Sequence, residues 1–105
     1  MIGVVLPTRG LSYSRVEEAI EENRWGFDVK VYRSHDLPLP DGHNTLTQVA
    51  LADNCDQVWF VEEDTVPPTG ALERLLRTDA DIACIDYAVG GWGCVTRNPE
   101  GEILW

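Results

Sequence analysis

A chain of 105 residues carries 18 acidic against 8 basic side chains, a net charge of −10, with 44% hydrophobic residues. That is long enough for one domain with a buried core and too apolar for a disordered chain. The charge argues against polynucleotide and anionic-membrane partners, yet leaves open a small anionic ligand bridged by a cation.

In chain order, residues 2–6 (Ile-Gly-Val-Val-Leu) form an apolar run closed by Pro7, the pattern of a buried strand. Pro7-Thr8-Arg9-Gly10 reads as a loop. Ser14-Arg15-Val16-Glu17 has capping-box spacing, and Val16, Ala19 and Ile20 recur at helical intervals until about Asn23, ahead of Gly26. Phe27, Val29 and Val31 alternate with polar residues, which predicts a second strand running to about Tyr32. Residues 34–42, with Pro38 and Pro40, are a connection of a length that often carries function. Thr45 and Gln48 mark a second capping box, and Leu46, Val49 and Ala50 supply the buried face of a second helix.

Residues 57–61 are the third predicted strand, a buried one, which stops on Glu62, Glu63 and Asp64. Pro68 suits the first turn of a helix whose apolar stripe is Leu72, Leu75 and Leu76. Residues 81–86 read as a fourth strand and Gly90-Gly91-Trp92-Gly93 as irregular chain. Residues 94–97 and 102–105 read as a C-terminal β-hairpin around Asn98-Pro99-Glu100-Gly101. The βαβαβαβ order predicts an α/β fold, a Rossmann-like, mostly parallel sheet with helices on both faces. The closing Ile103-Leu104-Trp105 is an apolar edge that invites pairing, so a fragment of a longer protein or a homo-oligomer is expected.

Cys55, Cys84 and Cys94 are widely spaced and form no CxxC pair, so neither structural zinc nor a disulfide framework is expected. Cys84, inside an apolar run, is expected in the core. Met1-Ile2-Gly3-Val4 does not resemble a signal peptide, and no apolar stretch approaches membrane-spanning length. The expected setting is soluble and cytoplasmic.

Ligands of open α/β sheets bind beyond the carboxyl ends of the strands, where the strand order switches. Three loops meet that condition, at residues 7–10, 34–42 and 62–67. Clustered carboxylates at a strand end repel one another, and a hard divalent cation that also holds phosphate oxygens is the commonest remedy. A solvated acidic turn is the plain alternative. With an arginine, histidines and hydroxyls on the other two loops, the ensemble reads as a nucleotide pocket with a metal clamp.

Val4-Val5-Leu6-Pro7-Thr8-Arg9 resembles the opening of the GT-A nucleotide-sugar glycosyltransferases, especially their large family 2 group. Phe60-Val61-Glu62-Glu63-Asp64-Thr65-Val66-Pro67-Pro68 resembles their DxD segment, followed by a Gly-Ala-Leu-x-x-Leu-Leu helix at residues 70–76. His43-Asn44 stands where that group often has Arg-Asn. The resemblance covers roughly residues 2 to 88 and rests on the order and spacing of short motifs. It implies one nucleotide-sugar-binding domain over residues 1–105, truncated before the acceptor-binding half.

The resemblance further implies that Asp64 ligates Mn²⁺ or Mg²⁺ bridging a diphosphate. Glu62 then serves the ribose or the metal shell, with Glu63 beside it, and Pro7, Thr8 and Arg9 line the nucleoside. The implied ligand is a UDP- or GDP-sugar, with an acceptor that the sequence does not name. Glutamate in the first acidic position departs from the commoner aspartate. The family's second strand usually ends in an Asp-Asp pair near the base, whereas here Tyr32-Arg33-Ser34-His35-Asp36 leaves Asp36 to substitute. The carboxylate base that inverting members use comes from the missing half, so the catalytic residue is not found in this chain.

Plainer roles stand beside these. Arg9 is a phosphate or base contact or a surface arginine, and Asn44 orients the donor or caps a helix. His35 and His43 read as surface or cap residues rather than metal ligands. Trp92 stacks on a sugar or packs a loop down. Walker A and Gly-x-Gly-x-x-Gly signatures are absent, and the single lysine, Lys30, does not suit a phospho-receiver domain. Two classes remain: a metal-dependent glycosyltransferase or its donor-binding half, and a noncatalytic nucleotide-sugar-binding or assembly module that self-associates through its C-terminal strand.

Overall fold

The computed structural model describes residues 1–10, 13–38 and 40–85, together with the backbone of residues 88–89, 92–93, 96–97 and 103–104. Two compact units divide the chain, Met1–Arg74 and Leu75–Trp105. The first contains β1 (Ile2–Thr8), α1 (Ser14–Asn23), β2 (Val29–His35), α2 (Asp41–Ala52) and β3 (Gln57–Phe60). A third helix, α3 (Ala71–Arg77), spans the boundary.

The three strands form a parallel sheet in the order β2-β1-β3. β1 is central and buried at every position. Side-chain alternation sends Gly3 and Val5 to one face, where Val5 clusters with Tyr32, Leu46, Ala50 and Cys55 beneath α2. Val4 and Leu6 face the other way, as does Arg33 of β2, whose Nε donates to Glu17 Oε1 of α1 at 3.1 Å. α1 therefore covers that second face, burying Val16, Ala19 and Ile20. Full burial of side chains such as Val4, Leu6 and Ile20 stabilises the fold by about 1.5–3 kcal/mol each. The expected α/β order with helices on both faces is thus present in this unit.

Pro7 lies inside β1 rather than ending it. Ladder groups alternate along a parallel strand, and Val5 O accepts the Val61 N–H at 3.0 Å, so the Pro7 nitrogen faces the β3 side. The β1–β3 pairing stops at Val5↔Phe60, so no ladder bond is lost to the missing N–H. On the other side β1 stays paired to Thr8↔His35. The two strands part where Pro7 stands.

Several boundaries differ from the sequence expectation. Ser14 is the first residue of α1, Tyr13 is the N-cap without a side-chain cap bond, and Glu17 turns to Arg33 instead of closing a capping box. α2 begins at Asp41, four residues before the expected Thr45, so His43 and Asn44 occupy its first turn. It ends in a Schellman arrangement, with Asn54 at φ 64, its N–H on Leu51 O, and the Cys55 N–H on Ala50 O. α3 starts at Ala71 rather than at Pro68, whose carbonyl accepts the Ala71 N–H. β3 is not a buried strand: it lies at the sheet edge with Gln57 and Phe60 exposed.

In the second unit, residues 81–85 form no strand, and Ile82 and Cys84 are exposed, against the expectation of a core cysteine. An apolar run makes a strand only when a neighbour pairs with it, and among the described residues none does. Asp86 lies outside the described residues. β4 (Ala88–Val89) pairs antiparallel with β5 (Trp92–Gly93), so the segment taken as irregular contributes a strand. β6 (Thr96–Arg97) pairs antiparallel with β7 (Ile103–Leu104), which is the expected C-terminal hairpin. Among the described residues, no helix is long and apolar enough to cross a membrane.

Candidate functional site

The chain leaves β1 through α1 to reach β2 on one side, then returns through α2 to place β3 on the other. The strand order therefore switches between β1 and β3, and their carboxyl ends flank the crevice where open α/β sheets bind ligands. A cavity of about 380 Å³ lies there, lined by Pro7, Thr8, Arg9, Leu37, Pro38, His43, Glu62, Glu63 and Asp64. All three loops singled out in the sequence contribute to it. Asp36 and Asn44 are not among its lining residues: Asp36 stands at φ 57 with its N–H on Thr8 O, and Asn44 is exposed on α2.

Thr8 builds the floor from a buried position. Its Oγ1 donates to Ser34 O at 2.7 Å, accepts the Gly10 N–H at 3.2 Å and lies 3.1 Å from His35 Nδ1. The hydroxyl is thereby committed to holding the β1 and β2 ends together. His35 follows as a partner of Thr8 rather than of a ligand. His43, by contrast, reaches the cavity from the first turn of α2, its ring tilted against Phe60 with centroids 5.6 Å apart. Leu37, Pro38 and His43 thus give one wall an apolar and aromatic character. Sequence reasoning ranked His43 as a surface or cap residue because it stands alone in sequence; its contact with Phe60 depends on the β3 register.

The three carboxylates separate into two kinds. Glu63 accepts the Arg9 backbone N–H at 2.9 Å on Oε2 and Arg9 Nε at 2.5 Å on Oε1. Its carbonyl accepts the Tyr13 N–H at 3.2 Å. Those Arg9 bonds hold the Glu63 carboxyl below its ordinary range and, reciprocally, push the Arg9 guanidinium up. Glu63 lines the cavity, and both of its carboxylate oxygens are bonded to Arg9. Glu62 and Asp64 are exposed on either side of it and form no ion pair among the described residues. Thr65 Oγ1 lies 3.5 Å from Asp64 Oδ1.

Among the described residues, no three His, Cys, Asp or Glu side chains converge as a metal group. Two free carboxylates do not make a protein cage for a cation. They would leave most of the coordination of a hard divalent ion to water and ligand phosphate, which is how Mg²⁺-type ions are usually held. Arg9 also borders a smaller hollow of about 200 Å³ shared with Tyr13, Glu63 and Asp64. The site can therefore offer carboxylate oxygens, one guanidinium and an apolar wall to a single ligand. No family model matches the chain, and no curated protein or solved structure does either.

Proposed function

We propose that the cavity between the β1 and β3 ends is the donor site of a metal-dependent glycosyltransferase of GT-A type, or of its nucleotide-binding half, and takes a UDP- or GDP-sugar. One observation carries the reading. Pro7, Thr8 and Arg9 and the carboxylates Glu62 and Asp64 border the same cavity at the switch in strand order. Each then has a separate task. The wall of Leu37, Pro38 and His43 receives the flat, weakly polar base. Arg9 offers its guanidinium to phosphate oxygens. Glu62 and Asp64 would hold Mn²⁺ or Mg²⁺, which when bound neutralises charge on a diphosphate leaving group.

A chain of net charge −10 repels a diphosphate unless a cation intervenes, so binding is expected to be much weaker without metal. Calorimetric titration of UDP and GDP, with and without Mn²⁺, against the wild type and Asp64→Ala tests this. Binding that needs both the metal and Asp64 supports the donor site, and turnover of the sugar nucleotide then separates an enzyme from a noncatalytic binder. No binding under any condition refutes the reading.

A further inference from the structure

The middle residue of the acidic run points to a role other than ligand binding. Glu63 joins two chain segments that no strand pairing joins, because the β1–β3 ladder ends at Val5↔Phe60. Beyond that pair, among the described residues, three hydrogen bonds cross between the segments and all three end on Glu63: Arg9 N–H and Arg9 Nε on the carboxylate, Tyr13 N–H on the carbonyl. The Glu63 side chain is well covered, at 15% exposure, whereas Arg9 is 83% exposed. The carboxylate is therefore the fixed part of the pair and the guanidinium the part that reaches solvent.

We propose that Glu63 is a positioning residue, a clasp that fixes the loop after β1 against the turn after β3 and so sets Glu62 and Asp64 on the cavity rim. Three geometric facts favour the clasp over a direct ligand. Both carboxylate oxygens already accept from Arg9. The backbone on either side of Glu63 carries the two free carboxylates, so any rotation of this turn moves both of them together. The Arg9 guanidinium, pinned through Nε, borders both hollows and has its terminal nitrogens without a second acceptor among the described residues. A clasp with these bonds orients an arginine as well as two carboxylates, at the point where the strands have ceased to hold one another. Pro7 makes it necessary, since it lacks the N–H that might have extended the ladder.

The binding arm of the test rests on the donor-site reading; the amide arm does not. Hydrogen exchange of the Arg9 and Tyr13 amides is compared in the full chain for the wild type, Glu63→Ala and Glu63→Gln, alongside UDP affinity with Mn²⁺. Glutamine keeps an oxygen for the Arg9 N–H and loses the charge a metal ligand would need. The expected result is exchange at Arg9 about tenfold faster in Glu63→Ala, with Tyr13 following, and near-normal protection in Glu63→Gln. Affinity is expected to fall in Glu63→Ala and to be largely restored in Glu63→Gln. Unchanged amide exchange in Glu63→Ala overturns the clasp. So does a glutamine variant with normal amide protection whose affinity falls as far as that of alanine, since Glu63 would then be a direct ligand. If the wild type binds no nucleotide, the donor-site reading fails alone, and the amide arm still decides for or against the clasp.

Discussion

Asn23, the last residue of α1, caps the start of α3 through its side chain: its Oδ1 accepts the Leu72 backbone N–H at 3.0 Å. Its Nδ2 donates to Ala19 O at 2.9 Å and to Pro68 O at 3.1 Å, and the residue is buried. Leu72 is the second residue of α3, where helix N–H groups have no intrahelical partner. Removing the amide leaves the buried Leu72 N–H without its acceptor, while the Pro68 carbonyl keeps the Ala71 N–H. Asn23→Ala is therefore expected to cost about 1–3 kcal/mol. Urea denaturation checks it, and a midpoint equal to the wild type's would refute the cap.

Gly3 sets how closely α2 approaches the sheet. A Cβ there would meet Ala50 Cβ at 3.0 Å and both Cys55 Sγ and Tyr32 Cε2 at 3.2 Å. Its φ is ordinary strand backbone, so the demand is for space rather than for conformational freedom. Gly3→Ala is expected to destabilise by about 1–3 kcal/mol through overpacking. The double variant Gly3→Ala with Ala50→Gly recovers part of that loss in the same denaturation assay, whereas Gly3→Ala with a remote Gly70 change does not.

The buried core was largely legible because periodicity reports burial: Val16, Ala19, Ile20, Leu46 and Ala50 lie inside as their spacing implies, whereas Val49, expected on the same face of α2, is 43% exposed. Element ends were less so. Thr45 looked like a cap but stands one turn inside α2, because the Pro38 and Pro40 carbonyls accept the Gly42 and Asn44 N–H groups and start the helix earlier. The three loops of the site were legible from chain order alone. Their division of labour was not, since the bond between Arg9 and Glu63 joins residues 54 apart in sequence. Residues 81–85 misled because an apolar run measures the capacity to pair and not the presence of a partner.

Stability is expected to depend on pH at both ends through one network beneath α2. Lys30 Nζ and Tyr32 Oη both donate to Asp53 Oδ2 at 2.8 Å, and Tyr32 Oη lies 3.5 Å from Cys55 Sγ. The Lys30 ammonium, then the Tyr32 hydroxyl, hold the Asp53 carboxyl below its ordinary 3.8. In that window the unfolded chain binds more protons, so this stabilisation is present above 3.8 and is lost as the pH falls through the folded value. Burial above all, with help from Cys55 and Asp53, pushes the Tyr32 phenol up from its ordinary 10.0. Its stabilisation is complete below 10.0 and is lost as the pH rises towards the folded value. Denaturation midpoints against pH should lose the acid limb selectively in Asp53→Asn and the alkaline limb in Tyr32→Phe. Unaltered limbs in both variants would show that other groups set the profile.

The two free carboxylates lead to a prediction whose sign changes with the metal. Without a cation, Glu62 and Asp64 repel a diphosphate in the cavity that they line. A unit charge about 6 Å from phosphate in a water-like medium contributes below about 1 kcal/mol, so Asp64→Asn should improve metal-free UDP affinity a few-fold at most. With Mn²⁺ the same change removes one of two hard oxygen donors and should weaken binding by roughly tenfold or more. Glu62→Gln should follow the same crossover. Raising the salt concentration should shrink the metal-free gain first, because both carboxylates are exposed. Affinities measured by calorimetry at low salt, with EDTA and then with Mn²⁺, decide the matter. Loss of binding in both conditions would mean that Asp64 holds the fold of its turn; no change in either would remove Asp64 from the site.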